Sequence, residues 1–380
     1  MSNDTLLLMT VVHVTQCVII HDVTSCNQWL IKHSAFISQY YNKTYILILG
    51  KVSEQVVNLY ADHNLKVIDL NSNKFHIFYL IRNMIAINTN IFSHGFRATR
   101  VAALLAFLTH SRSAIFQHFS PRILDFNDKG RSQLRSKIHK ITLMLAFRQA
   151  YVIFVFSKEV LEYFLKRNLP KDKIIQIPFG FLPGTAKNPR RKMSKTDEFK
   201  IVVVSRLNLE KNLIFALEVL SELRKIDDSI SVSFYGNGPE LSKLLDYRKV
   251  FKLEHIVDFK GFEENLSSVY PSFDLLLHTS RTEGFCQVVV EALASGLKVF
   301  SSYVGVVQDL RSLDTPNLEV FDLTADAFTV ASQLHNFICQ PIVKNPQLGI
   351  ILNRFSFENM KLGIDSSIKI MRSGKINEDS

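Results

Sequence analysis

The sequence has few cysteines, no glycine before Gly50 and no long apolar run. Its four cysteines include no Cys-x-x-Cys pair, which excludes the common zinc spacings and is typical of a reducing compartment. No apolar stretch reaches the roughly 18 residues that a transmembrane helix needs. Residues 6–20 come nearest, but polar side chains interrupt them and no basic flank or cleavage site is present. We therefore expect a cytoplasmic protein without a signal peptide.

The composition is that of a globular protein with an uneven distribution of charge. Hydrophobic residues make up 47% of the 380 residues and charged residues 21%, and this length favours two domains. Residues 1–183 contain 21 Lys and Arg against 10 Asp and Glu, whereas residues 184–380 contain 24 against 25. The first half thus has a net charge of +11 and the second of −1. This asymmetry suggests that the first half meets an anionic surface, either nucleic acid or lipid.

Short segments rich in β-branched residues alternate with helical patterns along the chain, which predicts parallel sheets covered by helices. The strands predicted for the first half are 6–14, 45–50, 66–70, 91–94, 114–118, 152–157 and 173–178. Those predicted for the second half are 201–205, 231–235, 257–260, 275–278, 298–301 and 318–321. The pattern favours two Rossmann-like domains in tandem, with ligands at the carboxyl ends of the strands.

The alternation stops once, and this break defines the predicted domains. Residues 184–198 include Gly184, Pro189 and a basic cluster, the composition of a linker. We expect a basic first domain over 1–183 and a second domain over 199–355. The remaining residues, 356–380, are expected to form a helix that crosses back to the first domain, followed by a tail.

The strongest motif is Glu283-Gly284-Phe285, followed eight residues after Glu283 by Glu291. A predicted strand ends just before it, and an apolar helix begins just after it. The N-terminus of such a helix attracts phosphate, and carboxylates beside it can accept hydrogen bonds from sugar and ribose hydroxyls. The pattern favours a ligand site, with a solvated structural role for Glu291 as the alternative.

Two cations, Arg206 and Lys211, follow the first predicted strand of the second half. Fixed positive charges at a strand end can neutralise a departing diphosphate. A structural salt bridge is the alternative role for Arg206. After the next strand comes a glycine turn at Gly236, which by itself indicates only a tight turn or a close backbone approach.

Together these motifs resemble the donor domain of the retaining GT-B glycosyltransferases of family four, the group 1 glycosyl transferases. The segments that carry the resemblance are Ser205-Arg206-Leu207 with Glu210-Lys211-Asn212, Gly236-Asn237-Gly238-Pro239, Phe259-Lys260-Gly261, and Glu283-Gly284-Phe285 through Glu291 to Gly296. The first half is similar at fewer positions. Its matching strand ends contain His94 and His118.

The resemblance implies a GT-B fold, in which two Rossmann-like α/β domains face each other across a cleft. It implies that Arg206 and Lys211 hold the diphosphate of a nucleotide sugar, and that no cofactor is needed beyond that substrate. Glu283 would bind sugar hydroxyls, Glu291 the ribose, and His118 would approach the transferred sugar.

Further donor-binding positions follow from the same resemblance, with residues 257–262 bordering the base. These positions are Gly236, Phe259, Gly261, Gly284 and Phe285. His94 is the candidate on the acceptor side, and core packing is its alternative role. The chain has no Asp-x-Asp triplet, so we expect no metal and a UDP- or GDP-linked sugar as the donor.

The sequence departs from the family pattern in the loop after the first predicted strand. That loop is glycine-rich in the family, whereas residues 13–29 contain no glycine. Backbone approach to a ligand is harder without glycine, so no site residue is assigned there. Either the acceptor is held differently, or activity needs a partner or is lost.

A basic segment at residues 122–148 contains an apolar stripe at helical spacing, formed by Leu134, Ile138, Ile141 and Leu145. Such a helix can lie on an anionic membrane. The alternative is that the stripe packs on its own domain. The charge of the first half favours the inner face of the membrane and a lipid-linked acceptor. No recognisable motif favours nucleic acid.

These expectations combine into a retaining, metal-independent hexosyl- or N-acetylhexosaminyltransferase that acts on a saccharide or lipid-linked acceptor. Its expected pathway is the synthesis of polysaccharide, lipopolysaccharide or glycolipid. Two alternatives are a sugar-nucleotide epimerase and a non-catalytic relative that binds a nucleotide sugar or a partner glycosyltransferase. Turnover separates the enzyme from the non-catalytic relative, and the identity of the product separates the transferase from the epimerase.

Overall fold

The computed structural model describes residues 16–21, 28–49, 54–63, 65–69, 89–125, 133–180, 198–313, 315–343 and 348–373. Two parallel sheets organise these residues, one in each half of the chain. The predicted strand 6–14, the tail after Ser373 and nearly all of the predicted linker lie outside the described residues. No helix among the described segments is long and apolar enough to cross a membrane.

The sheet of the first domain has the strand order β3-β2-β1-β4-β5-β6-β7, with every pair parallel. Its strands are β1 Gln16–His21, β2 Lys43–Ile48, β3 Lys66–Asp69, β4 Thr89–His94, β5 Arg112–Gln117, β6 Val152–Val155 and β7 Ile174–Gln176. The accompanying helices are α1 Gln28–Ser38, α2 Glu54–Ala61, α3 Phe96–Thr109, α4 Gln133–Gln149 and α5 Lys158–Leu165. Strands β4 and β6 are buried at every residue, as expected for a parallel sheet covered on both faces.

The sheet of the second domain has the order β10-β9-β8-β11-β12-β13, again all parallel. Its strands are β8 Phe199–Val204, β9 Ile230–Tyr235, β10 Val257–Gly261, β11 Leu275–His278, β12 Lys298–Ser302 and β13 Leu318–Phe321. The helices that follow β8 are α6 Leu213–Ile226, α7 Leu241–Val250, α8 Leu266–Val269, α9 Gln287–Ala294, α10 Val306–Arg311, α11 Ala327–Cys339, α12 Leu348–Arg354 and α13 Phe357–Ser373.

The interpretation of residues 13–29 as a loop is wrong for Gln16–His21, which forms the central strand β1. This strand pairs with β2 on one side and β4 on the other, and Cys17, Val18 and Ile19 are fully buried. Its apolar residues were assigned to the loop by the sequence analysis, whereas their pairing places them in the sheet. The segment that follows β1 is therefore residues 22–27, which lie outside the described residues and contain no glycine.

The strand order reverses at equivalent places in the two sheets, between β1 and β4 and between β8 and β11. At such a switch point the connections leave to opposite sides and open a crevice beyond the carboxyl ends of the strands. His94 ends β4, and His278 ends β11. The topology thus selects the two strand ends at which polar side chains can reach a ligand.

Helix α13 packs against the first domain, although it follows the second in sequence. Arg112 at the start of β5 donates a hydrogen bond to the carbonyl of Met371, over 2.6 Å. Gly180 has a positive φ of 80°, and a Cβ built there would lie 2.4 Å from Sδ of Met360. Helix α13 therefore attaches the C-terminal end of the described chain to the first domain.

Lys298 is a buried lysine on β12 that supports the end of α11. Its side chain is 1% exposed, and its ammonium donates to the carbonyls of Phe337, Ile338 and Gln340. The last carbonyls of a helix have no partner within the helix, so a side-chain donor stabilises them.

We predict that Lys298→Met lowers the free energy of unfolding by about 3 kcal/mol, because buried carbonyls lose their donor. Urea unfolding measures this change. Lys243→Met, on the exposed surface of α7, is the control and should change stability little. Equal stability of Lys298→Met and the wild type would contradict the role given to this lysine.

Candidate active site in the cleft

A cavity of about 360 Å³ lies where the strand ends of the two domains face each other. Both domains contribute to its wall. The lining residues are Leu30, His94, Gly95, His118, Phe119, Ser120, Ile123, Phe179, Val204, Ser205, Arg206, Glu210, Lys211, Thr282, Glu283, Gly284, Phe285, Cys286, Gln287 and Val288. Seven of the residues predicted from the sequence are among them: His94, His118, Arg206, Lys211, Glu283, Gly284 and Phe285.

Glu283 is the centre of a charged network on the second-domain side of this cavity. Its Oε1 lies 2.5 Å from Nζ of Lys211 and 3.1 Å from Nε2 of His278. The other ring nitrogen of His278 lies 2.9 Å from Oγ of Ser301. Strand ends β8, β11 and β12 thus bring a cation, an imidazole and a hydroxyl together around one carboxylate.

This network keeps Glu283 ionised. Burial by itself would raise the pKa of Glu283, but the charge of Lys211 and the hydrogen bond and charge of His278 together outweigh burial. The pKa of the carboxyl is therefore held well below its ordinary value. A fixed carboxylate beside a fixed ammonium can accept hydroxyl hydrogen bonds from one part of a ligand and attract anionic oxygens of another.

Arg206 supplies the second cation of this wall. Its guanidinium lies 3.8 Å from Oε1 of the buried Glu210, and 5.6 Å above the ring of Phe119 from the first domain. Asn208 donates to the same Glu210 oxygen over 3.2 Å. Arg206 is thus oriented by contacts from both domains, and its predicted alternative role, a structural salt bridge, is also present at 3.8 Å.

Two histidines form the first-domain side of the cavity. Nδ1 of His94 lies 2.7 Å from Nε2 of His118, and the two rings stack with centroids 5.0 Å apart. His94 stacks on Phe116 and His118 on Phe156, each on the aromatic residue of a buried strand end. His33 of α1 packs edge-on against His94. These contacts fix both imidazoles in the wall of the cavity.

At Gly284 the backbones of the two domains lie in direct contact. A Cβ built on it would lie 1.8 Å from the carbonyl oxygen of His118, so only glycine fits. Ser157 of the first domain donates to the carbonyl of Gly284 over 2.6 Å. Next to it, the ring of Phe285 stacks on Phe179 at 4.8 Å. The loop that carries Glu283 therefore packs directly against the first domain.

Glu159 of the first domain, which belongs to no sequence motif, stabilises this contact between the domains. It is 2% exposed and lies on α5. Thr282 donates to its Oε1 over 2.7 Å, Ser120 to the same atom over 3.3 Å, and the amide of Gly305 to its Oε2 over 2.7 Å. Burial raises the pKa of Glu159 despite these donors and the charge of Arg122. Glu159 is a positioning residue for the loop that carries Glu283.

Glu291 lies outside the lining of the cavity. The hydroxyl of Tyr270 donates to its Oε2 over 3.0 Å, and the amide of Gln287 to its Oε1 over 2.6 Å. Burial raises the pKa of Glu291 above its ordinary value, and these two donors offset part of the rise. Gln287 does line the cavity, so Glu291 lies one helical turn behind that wall.

Three other predicted donor-binding residues also lie outside the lining. The amide of Gly236 donates to the carbonyl of Gly261 over 2.7 Å, and a Cβ on Gly236 would lie 1.8 Å from the carbonyl of Ser205. Phe259 instead packs on Phe234, with ring centroids 4.8 Å apart, against the core of the second domain. The two glycines thus let three strand ends approach, while Phe259 contributes to packing.

One group in the described part of the chain has the ligand types and spacing for a metal ion, namely His278, Glu283 and Cys286. Cys286 has a left-handed backbone with φ 77°, and its Sγ lies 3.1 Å from Nε2 of His278. Burial, followed by the charge of Glu283, raises the pKa of the thiol well above its ordinary value, which disfavours the thiolate that metals bind. Lys211 already neutralises the carboxylate of this group.

Comparison with known proteins supports the resemblance found in the sequence. Residues 185–312 match the family model "Glycosyl transferases group 1". Among solved structures, HepE from Anabaena in complex with UDP superimposes with a TM-score of 0.71, covering 93% of this chain and all of that one. Sequence identity there is 16%, so this likeness concerns the fold alone. The predicted resemblance to group 1 glycosyl transferases and the GT-B fold are both confirmed.

Two curated relatives match part of the chain. The GtfA component of a UDP-N-acetylglucosamine–peptide N-acetylglucosaminyltransferase from Streptococcus agalactiae is 29% identical over 143 residues, 38% of this chain and 28% of that protein. A component of the phosphatidylinositol N-acetylglucosaminyltransferase from Arabidopsis thaliana is 29% identical over 164 residues, 43% of this chain and 36% of that protein. The match spans about a third of the length of these relatives or less.

We predict that Gly284→Ala destabilises the protein by more than about 3 kcal/mol, because the added methyl group collides with the backbone of His118. Gly349→Ala is the matched control, since nothing lies within 4 Å of a Cβ at that helical position. The free energy of unfolding of the control should rise by up to about 1 kcal/mol, because alanine has a higher helix propensity than glycine. Thermal unfolding of both variants tests this. Equal stabilities would show that the two domains do not make this contact.

Proposed function

We propose that the protein transfers a hexose or N-acetylhexosamine from a UDP-sugar to a saccharide or lipid-linked acceptor, with retention and without a metal. The observation that carries this proposal is the Lys211–Glu283 pair, which lines the same cavity as His118 between two parallel-sheet domains. The choice of UDP is supported by the UDP complex of HepE and by the donor named for the GtfA relatives. GDP-sugars are the alternative donors.

In this proposal the cations of the second domain stabilise the leaving group. When the bond between the anomeric carbon and the phosphate oxygen breaks, the electron pair stays on that oxygen and negative charge develops on the diphosphate. Lys211 and Arg206 lie where they neutralise it, which lowers the barrier without a divalent ion. Glu283 accepts hydrogen bonds from the sugar hydroxyls. Glu291 accepts hydrogen bonds from the ribose hydroxyls, which replace those from Tyr270 and Gln287.

Retention is proposed from the resemblance to the retaining enzymes of family four, with a front-face displacement as the route. A double displacement would need an available carboxylate as nucleophile, but Glu283 is bound to both Lys211 and His278 and is therefore a weak one. In the proposal the acceptor oxygen attacks from the face that the phosphate leaves, and its proton passes to the departing phosphate oxygen. His118 lines the same cavity as Glu283 and contacts the transferred sugar, while His94 holds the ring of His118 in place.

We further propose that the acceptor is presented at a membrane during the synthesis of cell-surface polysaccharide or glycolipid. The naming of a phosphatidylinositol for one relative and the +11 charge of the first half support this. Nucleic acid is not proposed as a partner.

The decisive experiment is a screen of the purified protein against UDP-, GDP- and ADP-sugars, with and without EDTA. We expect one UDP-sugar to raise the melting temperature and to release UDP slowly, with the same rate in EDTA. Loss of release in EDTA that Mg²⁺ or Mn²⁺ restores would overturn metal independence. Stabilisation without release in the presence of saccharide acceptors would identify a non-catalytic binder instead.

Lys211→Ala should lower turnover on the order of 100-fold or more, because it removes a fixed charge at the leaving group. Release of UDP under saturating donor measures the effect. Lys225→Ala is the control, since Lys225 is likewise paired with a glutamate but lies exposed on α6. If Lys211→Ala and Lys225→Ala have similar turnover, Lys211 does not act on the leaving group.

A further inference from the structure

The apolar stripe of α4 faces outward instead of packing on its own domain. Its four members, Leu134, Ile138, Ile141 and Leu145, are each more than half exposed, with Leu134 at 68%. The buried side of the same helix is formed by Leu143, Ala146 and Phe147 among others. The alternative stated above, that the stripe packs on its own domain, is therefore wrong. A row of four large aliphatic side chains over three turns is left in contact with solvent.

Helix α3 continues this apolar surface. Leu104, Phe107 and Leu108 are exposed, with Phe107 at 70%. The amide of Gln149 at the end of α4 donates to the carbonyl of Ala103 over 3.0 Å, and Leu104 is the next residue along α3. Leu145 lies one turn before Gln149. The two rows therefore meet at this hydrogen bond and form one surface, which we name the α3–α4 face.

The charge around this face has a single sign. The two helices contain six Arg and Lys residues and no Asp or Glu. Arg135 and Lys137 are exposed between Leu134 and Ile138, the first two members of the stripe. Arg148 is exposed just after the last member of the stripe. Exposed apolar side chains interleaved with cations on a helical surface are suited to the boundary between anionic headgroups and acyl chains.

A second cavity lies beside the α3–α4 face. It has a volume of about 270 Å³ and lies between α4 and α5, with Ile141 belonging to both the cavity wall and the face. Its wall is apolar apart from Lys140 and Arg167. The guanidinium of Arg167 lies 3.6 Å above the ring of Tyr163. The cavity thus combines apolar space with two cations, which matches a phosphate headgroup attached to an acylated glycerol.

We propose that the α3–α4 face inserts into the headgroup region of an anionic lipid bilayer, with a lipid phosphate bound between Lys140 and Arg167. Charge complementarity favours a bilayer over a second copy of the chain, because two copies would bring like charges together across the interface. The face is also formed by two exposed rows on a helix pair rather than by a groove that fits one peptide.

The position of the face places the active site close to the bilayer. Helix α3 begins directly after Gly95, which lines the catalytic cavity, and Leu104 follows nine residues later. At the rise of an α-helix the cavity lies about 14 Å from the face along α3. This separation allows a lipid-linked acceptor to reach the cavity from the membrane, a consequence that depends on the proposed function, whereas docking itself does not.

The test is flotation of the full chain with vesicles of phosphatidylcholine alone and of phosphatidylcholine with phosphatidylglycerol in equal parts. We expect binding only to the anionic vesicles, weakening as salt rises, because cations of the face attract the headgroups. The double variant Phe107→Ser/Ile141→Ser should lower the partition coefficient by about tenfold or more, since two apolar side chains no longer enter the bilayer. Arg135→Gln/Lys137→Gln should weaken binding and reduce its dependence on salt.

Matched controls separate the face from general surface effects. Phe328→Ser/Ile350→Ser changes two residues of the same types, each 62% exposed on the second domain, and should float like the wild type. Lys243→Gln/Lys249→Gln is the matched charge control. Since all these side chains are exposed, the variants should keep the melting temperature and the release of UDP from a UDP-sugar in solution. Loss of that release would concern the proposed function and not the face.

Three outcomes would overturn the proposal. The first is absence of wild-type binding to anionic vesicles at low salt. The second is equal flotation of Phe107→Ser/Ile141→Ser and its control. The third is a wild type that sediments as a dimer and becomes monomeric on Phe107→Ser/Ile141→Ser, which would identify the face as an interface between two copies.

Discussion

The buried carboxylate of Glu159 joins the two domains beside the cavity. It projects from the first domain and accepts hydrogen bonds from Thr282 and Gly305 of the second. Burial of an ionised group is unfavourable, so its position depends on every donor being present. Within the second domain, the loop that carries Glu283 is held by the Lys211–Glu283 pair and by the amide of Arg281, which donates to the carbonyl of Glu210. The cavity is therefore a property of the interface, and neither domain contains it alone.

The cavity charges are arranged before any ligand arrives. Lys211, Glu283 and His278 hold one another through short contacts, and each stands at the end of a buried strand or in the turn after it. Groups fixed in this way need little reorganisation when charge develops on a ligand. The parallel sheet provides the fixing, because its strands are covered on both faces and cannot shift without exposing the core.

The sequence predicted the strands well wherever an apolar run stood alone, as at Leu275–His278 and Leu318–Phe321. It failed at β1, because Gln16–His21 was interpreted as a loop although it pairs with β2 and β4. The site residues that follow strands, such as His94 and Lys211, were predictable because parallel strand ends converge. His278 could have been found by the same rule. Glu159 could not, since its partners in the second domain are more than a hundred residues away and nothing local marks it.

The exposure of the α4 stripe also depends on tertiary packing, because periodicity does not determine which face of a helix packs against the domain.

The division of charge between the two halves of the chain, +11 against −1, has a consequence for how the molecule moves. Separated unlike charge densities give the protein a permanent electric dipole moment. Near an anionic surface the field extends roughly 8 Å at physiological ionic strength, so it exerts a torque before contact is made. Rotational diffusion is thereby biased, and the first domain leads the approach. Productive encounters then form a larger fraction of all collisions than random orientation allows.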